Sequence, residues 1–143
     1  MSDKKKIMFL CTGNSCRSQM GEGLARHLRG DVFEVYSAGT APQSLNPDAV
    51  LVMKEIGIDI SGHYSKSTEE LGDVAFDLVI TVCKEAHEGC PVWPGRGKTV
   101  HRGFDDPPRL AKRATSEEER LAPYRRVRDE IREYVLSLSS DEI

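Results

Sequence analysis

Short apolar runs alternate with helix-like stretches along this chain, and that alternation limits the available folds more than any other feature. KIMFLC (6–11), FEVYSA (33–38) and FDLVITVC (76–83) read as strands, and KTVHR (98–102) as a weaker fourth. Between the first two, Ser18 is placed to cap a helix running to about His27 or Arg29, with Gly21 and Gly23 marking close packing. Asn46 and Pro47 form a cap with proline at the first helical position, and Gly57 ends the helix that Val50, Met53 and Ile56 anchor. The last helix opens on a Ser116–Glu119 capping box and carries Leu121, Tyr124, Val127, Ile131, Val135 and Leu138 at helical spacing. Strands alternating with helices predict an α/β fold with a parallel sheet flanked by helices on both faces. Four strands are most economically ordered 2-1-3-4, and a length of 143 residues predicts a single domain spanning 1–143.

This topology has a functional consequence. Ligands of such sheets bind at the carboxyl ends of the strands, where the strand order reverses between the first and third. Cys11 ends the first strand and Cys83 the third, so two cysteines 72 positions apart (83 minus 11) are expected on neighbouring strands at one sheet edge. GFDDPP (103–108), after the fourth strand, is expected at the same edge. A net charge of -3 provides no general attraction to phosphate backbones or anionic lipid, which argues against nucleic acid. No run approaches the roughly 18 apolar residues of a membrane span, so no membrane association and a cytoplasmic location are expected. Thiols are held reduced there, where cysteines do chemistry, bind metal or pack more often than they form structural bridges.

The segment CTGNSCRS (11–18) could in principle be a metal site, a redox pair or an anion trap. Gly13 and Asn14 can adopt left-handed backbone angles, letting successive N–H groups point inward as an anion-binding nest beside a helix start. Arg17 adds a planar, permanently charged fork matched to a tetrahedral oxyanion. Cys11 at the mouth of such a pocket is in surroundings that favour a thiolate, and Ser18 can donate a hydrogen bond to it. Zinc is disfavoured, because no C-x-x-C pair is present and His27, His63, His87 and His101 are scattered.

The loop resembles the Cys, five residues, Arg motif of low-molecular-weight protein tyrosine phosphatases, and more closely the thioredoxin-coupled arsenate reductases built on that fold. The resemblance extends over CTGNSCRSQM (11–20), VYSAG (35–39), NPDAV (46–50), IDIS (58–61), TVCKEAHEGCP (81–91), GFDDP (103–107) and RVRDEI (126–131). It implies substrate binding by Thr12, Gly13, Asn14, Ser15, Cys16, Arg17 and Ser18, and catalysis by Cys11, Cys83, Cys90, Arg17 and Asp106. For Cys16, packing is supported at least as well as chemistry.

The implied activity is reduction of arsenate to arsenite in arsenic detoxification, possible only with two electrons, the number released when two thiols become a disulfide. In the implied relay Cys11 attacks arsenic and Cys83 then attacks Cys11, expelling arsenite. Cys90 next attacks Cys83, and thioredoxin reduces the Cys83–Cys90 disulfide; no tightly bound cofactor and no metal are implied. If residues 83–90 form a helix, their terminal Cα atoms stand roughly 10 Å apart. A disulfide needs less than about 7 Å, so residues 81–98 are expected to rearrange on oxidation. The acid that protonates departing water is implied to be Asp106, held extended by Pro107, with Asp105 structural. A monomer is expected.

The chain departs from the pattern twice. Pro108 stands where phosphatases carry aromatic residues, so a phenyl ring is less well accommodated. Some related reductases hold potassium with Asn, Glu, Ser and Asp; Asn14, Glu22 and Ser37 match, but the fourth position is Lys66, whose ammonium is expected to replace the ion. A low-molecular-weight phosphatase is the alternative enzyme, and weak phosphatase side activity fits either reading. A thiol redox sensor or oxyanion-binding regulator is the non-enzymatic alternative, and it would gain nothing from an aligned carboxylic acid.

Overall fold

The structure, a computed structural model, describes residues 4–84, 93 and 97–142. Four strands, β1 (Lys5–Cys11), β2 (Phe33–Gly39), β3 (Leu78–Cys83) and β4 (Lys98–Phe104), form one parallel sheet in the order β2-β1-β3-β4. The expected α/β class, parallel sheet and strand order are therefore those observed; among the described residues the long helices α1 (Arg17–Arg29), α2 (Pro47–Glu55) and α4 (Glu117–Ser137) share one face of the sheet. Register runs from Lys5 opposite Phe33 to Cys11 opposite Gly39 on one side of β1, and from Ile7 opposite Leu78 to Leu10 opposite Thr81 on the other. Cys11 and Cys83 thus end central strands at the same edge. The β3–β4 register breaks between Thr81 and Cys83, and Cys83 lies opposite Phe104.

Alternation along β1 divides the apolar residues between two clusters. Ile7, Phe9 and Cys11 belong to a core with Met20 and Leu24 of α1 (Arg17–Arg29), Val52 and Met53 of α2 (Pro47–Glu55), and Leu121, Val127, Ile131 and Val135 of α4 (Glu117–Ser137). Met8 and Leu10 join Ala38, Phe76 and Val79 on the opposite face, covered by Leu71 of a 3₁₀ turn (Thr68–Leu71), Val74 and Trp93. Gly21 is explained by close approach: a Cβ there would lie 2.7 Å from the Phe9 ring, so α1 could not sit this low on the sheet with any larger residue. Among the described residues no helix is long and apolar enough to cross a membrane.

The helix starts show where local signals are overridden. Asn46 caps α2 as expected, accepting from Asp48 N at 2.8 Å and Ala49 N at 3.1 Å. Ser116 accepts from Glu119 N at 3.1 Å, but the Glu119 carboxylate turns to Thr115 N and Oγ1, so the capping box is only half formed. Ser18 does not cap α1. The N-cap position is Cys16, with no side-chain cap bond, and the Ser18 hydroxyl is spent on Cys11 instead.

Candidate active site

The turn from β1 into α1 folds as a ring whose carbonyls are all engaged from outside. Cys11 O, Thr12 O, Gly13 O and Ser15 O accept from Thr40 N, Ala41 N, Gln43 N and Asn46 N at 3.3, 2.9, 2.8 and 3.0 Å, so residues 40–46 run as a strap along the loop. Asn14 O accepts from Gln19 Nε2 at 3.0 Å and Ser65 Oγ at 2.7 Å, and Cys16 O from Met20 N at 2.9 Å. In a trans peptide the C=O and N–H point in opposite directions, and no cis bond occurs among the described residues. Carbonyls turned outward from Thr12 to Cys16 therefore turn the amides of the following residues toward the centre, forming an anion nest. Asn14 completes the bend at φ 49°, the left-handed region that asparagine tolerates better than most residues. Gly39 is where strap and loop meet: its Cβ would stand 2.4 Å from Thr12 O.

Cys11 is a buried free thiol whose Sγ lies 3.1 Å from the Asn14 N–H and 3.0 Å from Ser18 Oγ. Proton direction in the second contact follows from its neighbours. Asn14 Oδ1 accepts from Lys66 N and Gln19 Nε2, so Nδ2 is the donor to Ser18 Oγ at 2.9 Å and Ser37 Oγ at 3.0 Å. With its oxygen receiving the asparagine proton, Ser18 has its own hydroxyl proton to direct at sulfur, the geometry that stabilises a thiolate.

A cavity of about 290 Å³ opens over this loop, lined by Cys11, Thr12, Gly13, Ser15, Cys16, Arg17, Gln43, Cys83, Asp106 and Pro108. Every described residue with an expected catalytic role is on that wall. Arg17 is almost buried; its Nη1 donates to Phe104 O at 2.8 Å and its Nη2 stands 3.7 Å from Asp106 Oδ1. Asp106 precedes α3 (Pro107–Leu110) in extended conformation, φ -89° and ψ 104°, and its carboxylate does not cap that helix. Asp105 turns the other way, paired with Lys84 Nζ at 2.8 Å and Arg126 Nη2 at 2.7 Å. Hydrogen bonds from these two cations hold its carboxyl below the usual carboxylate range. Two adjacent aspartates are thereby separated, one at the pocket and one tied into the scaffold.

The other cysteines differ from Cys11. Cys16 is buried, and burial pushes its thiol well up, against the opposing pull of Arg17, which keeps it protonated. Cys83 is buried at the end of β3 and disulfide-bonded, while Cys11 and Cys16 are free thiols. Cys90, and most of the segment expected to rearrange with it, lie outside the described residues.

Behind the loop, Glu22 is nearly buried and accepts a short hydrogen bond from Ser37 Oγ, with Arg26 Nη2 at 2.8 Å and Lys66 Nζ at 3.5 Å. Asn14, Glu22, Ser37 and Lys66 do converge, and the ammonium already stands against the carboxylate. A potassium ion does not fit this residue set: the fourth position offers a cation in place of an oxygen ligand. Sequence patterning missed Gln43 on the cavity wall and Gln19 beneath the loop. Each is brought in by tertiary hydrogen bonds or loop packing that carry no periodic signal.

Comparison with known proteins agrees with this geometry. A model of the family "Low molecular weight phosphotyrosine protein phosphatase" matches residues 6–141. An arsenate reductase of Halalkalibacterium halodurans is 51% identical over 129 residues, covering 90% of this chain and 91% of the relative. Among solved structures, an arsenate reductase in the phosphate-binding state superposes with TM-score 0.71 at 33% identity, covering 92% of this chain and 94% of the other. A thioredoxin-dependent arsenate reductase from Corynebacterium glutamicum gives TM-score 0.63 at 26% identity, covering 94% of this chain and 61% of that one.

Proposed function

The chain belongs to the low-molecular-weight phosphotyrosine protein phosphatase family, and from that premise we propose that it is an arsenate reductase that passes electrons through Cys11, Cys83 and Cys90 to arsenic, with thioredoxin as the reductant. The observation that carries this reading is the presence of two cysteines, Cys11 and Cys83, on one cavity wall with Arg17 and Asp106. Ester hydrolysis has a use for the first cysteine and none for the second.

Arsenate enters as a tetrahedral oxyanion, held by the inward amides of residues 13–17 and the Arg17 guanidinium. The Cys11 thiolate attacks arsenic while Asp106 gives a proton to the departing oxygen, which leaves as water. The Cys83 thiolate then attacks the Cys11 sulfur. The S–As bond breaks, its electron pair stays with arsenic, and arsenite departs as Cys11 and Cys83 become a disulfide. Attack by Cys90 on Cys83 frees Cys11, and thioredoxin takes the Cys83–Cys90 disulfide, returning two thiols. The name of the C. glutamicum protein supports thioredoxin as the carrier. The reducing cytoplasm is the compartment in which such a cycle turns over.

The test is arsenate-dependent NADPH consumption in the presence of thioredoxin and its reductase. Cys11→Ser, Cys83→Ser and Cys90→Ser should each lose turnover, and Cys90→Ser should still release one equivalent of arsenite. A phosphatase would instead hydrolyse aryl phosphate with Cys83→Ser and Cys90→Ser intact and show no arsenate-dependent oxidation of NADPH.

A further inference from the structure

Gln19, in the first turn of α1, is completely buried beneath the anion loop. Its Nε2 lies 3.0 Å from Asn14 O, 3.0 Å from Asn14 Oδ1 and 2.9 Å from Tyr64 O. Three oxygens, two of them main-chain carbonyls, surround this nitrogen. Turning the amide over would set Oε1 against all three, so its orientation is fixed, with one of the two protons shared. Oε1 then faces His63 Nδ1 at 3.0 Å, and because an amide oxygen only accepts, His63 carries its proton on Nδ1.

The consequence reaches the nucleophile in two steps. Gln19 and the Lys66 N–H both donate to Asn14 Oδ1, which forces Asn14 Nδ2 toward Ser18 and Ser37. A donor at Ser18 Oγ commits the serine hydroxyl proton to Cys11 Sγ. The bond from Gln19 to Asn14 O also holds the left-handed turn that aims the Asn14 N–H at the same sulfur.

The geometry points to Gln19 as a positioning residue that, without touching substrate, sets through Asn14 both hydrogen bonds received by the Cys11 thiolate. This rests on Cys11 being the nucleophile of the proposed function, but it makes a claim about the sulfur that can be read without arsenate.

The experiment follows carbamidomethylation of the Cys11 peptide by iodoacetamide across pH, using mass spectrometry, in the full chain and in Gln19→Met, which keeps length and removes every hydrogen bond. The midpoint of the Cys11 profile should move up by about one pH unit in the variant, because two bonds to the charged form lose their alignment. A filler of the core would lower thermal stability and leave that midpoint in place, and overlapping profiles from a folded variant would overturn the inference. Should Gln19→Met fail to fold, the unaltered protein decides. In a ¹⁵N spectrum the Gln19 side-chain amide signals should shift with the midpoint of Cys11 alkylation, and signals that stay fixed through that titration overturn the proposal. If the unaltered protein does not reduce arsenate, the proposed function fails while the alkylation profiles still judge Gln19.

Discussion

Behind Cys11, buried polar groups satisfy one another: the Asn14 side chain has partners at both ends, each carbonyl from Cys11 to Cys16 is engaged, and Glu22 faces two cations and a hydroxyl. At the ends of β3 and β4 the rim is built differently, from half-exposed ion pairs of Asp105 with Lys84 and Arg126 beside a break in strand register. Buried, mutually bonded groups hold one geometry, because any rotation leaves a polar atom unpaired. Exposed pairs exchange readily with water. The loop that holds and attacks the oxyanion in the proposed function therefore lies on the stiff side. Cys83, which must change partners in the proposed relay, is itself buried but borders the softer one, next to the Lys84–Asp105 pair.

The largest effect that would sharpen this contrast comes from its boundary, where Asp106 stands beside Arg17 on the cavity wall. Asp106→Asn keeps the shape and removes the proposed acid, so arsenate-dependent turnover should fall about 10³-fold while Asp105→Asn stays within about threefold. Equal losses from the two variants would show that the aspartates are not divided as their partners indicate. Arg17→Lys should cost about 10²-fold, chiefly by losing the fork that reaches Phe104 O and grips the oxyanion in the proposed function, and phosphate protection of Cys11 against alkylation should weaken with it. Undiminished protection would move the anion site away from this loop.

A smaller effect tests the buried side. With Lys66 Nζ beside Glu22, exchanging sodium for potassium at matched ionic strength should alter turnover by less than about twofold. Lys66→Met leaves Arg26 and Ser37 on the carboxylate, so chemical denaturation should register a loss of about 1–2 kcal/mol, below the cost of stripping a buried charge of all partners. Strong activation of the unaltered protein by potassium would contradict the tethered cation.

The sheet order and the convergence of Cys11, Cys83, Arg17 and GFDDP at one edge were legible because strand periodicity and crossover rules act on runs of residues. The details that make the loop rigid were not. Ser18 carries two signals in the sequence, a helix cap and a donor to Cys11; only the second is realised, because the sulfur seven residues earlier takes the hydroxyl. The strap 40–46 and Gln19 have no periodicity at all, and their roles arise from hydrogen bonds between segments that only the folded chain brings together. Lys66 is legible as a departure from a pattern, while the second cation on Glu22, Arg26, gives no signal of its own because an i, i+4 pair normally sits on a helix surface.

The smallest expected effect belongs to the exposed side and concerns pH. Lys84 and Arg126 depress the folded carboxyl of Asp105 below its unfolded value, so the stabilisation is present above the ordinary carboxylate value of about 3.9 and is lost as pH falls through the folded value. Asp105→Asn removes this dependence. At pH 7 the variant should be less stable by under about 1 kcal/mol, because solvent screens half-exposed pairs. That corresponds to a melting shift of no more than about 4 °C. The two melting curves should converge as the buffer is taken below the folded carboxyl's titration, where both proteins lack a charge at this position. A gap that persists unchanged into acid would assign the loss to packing and remove the electrostatic contrast between the two sides of the rim.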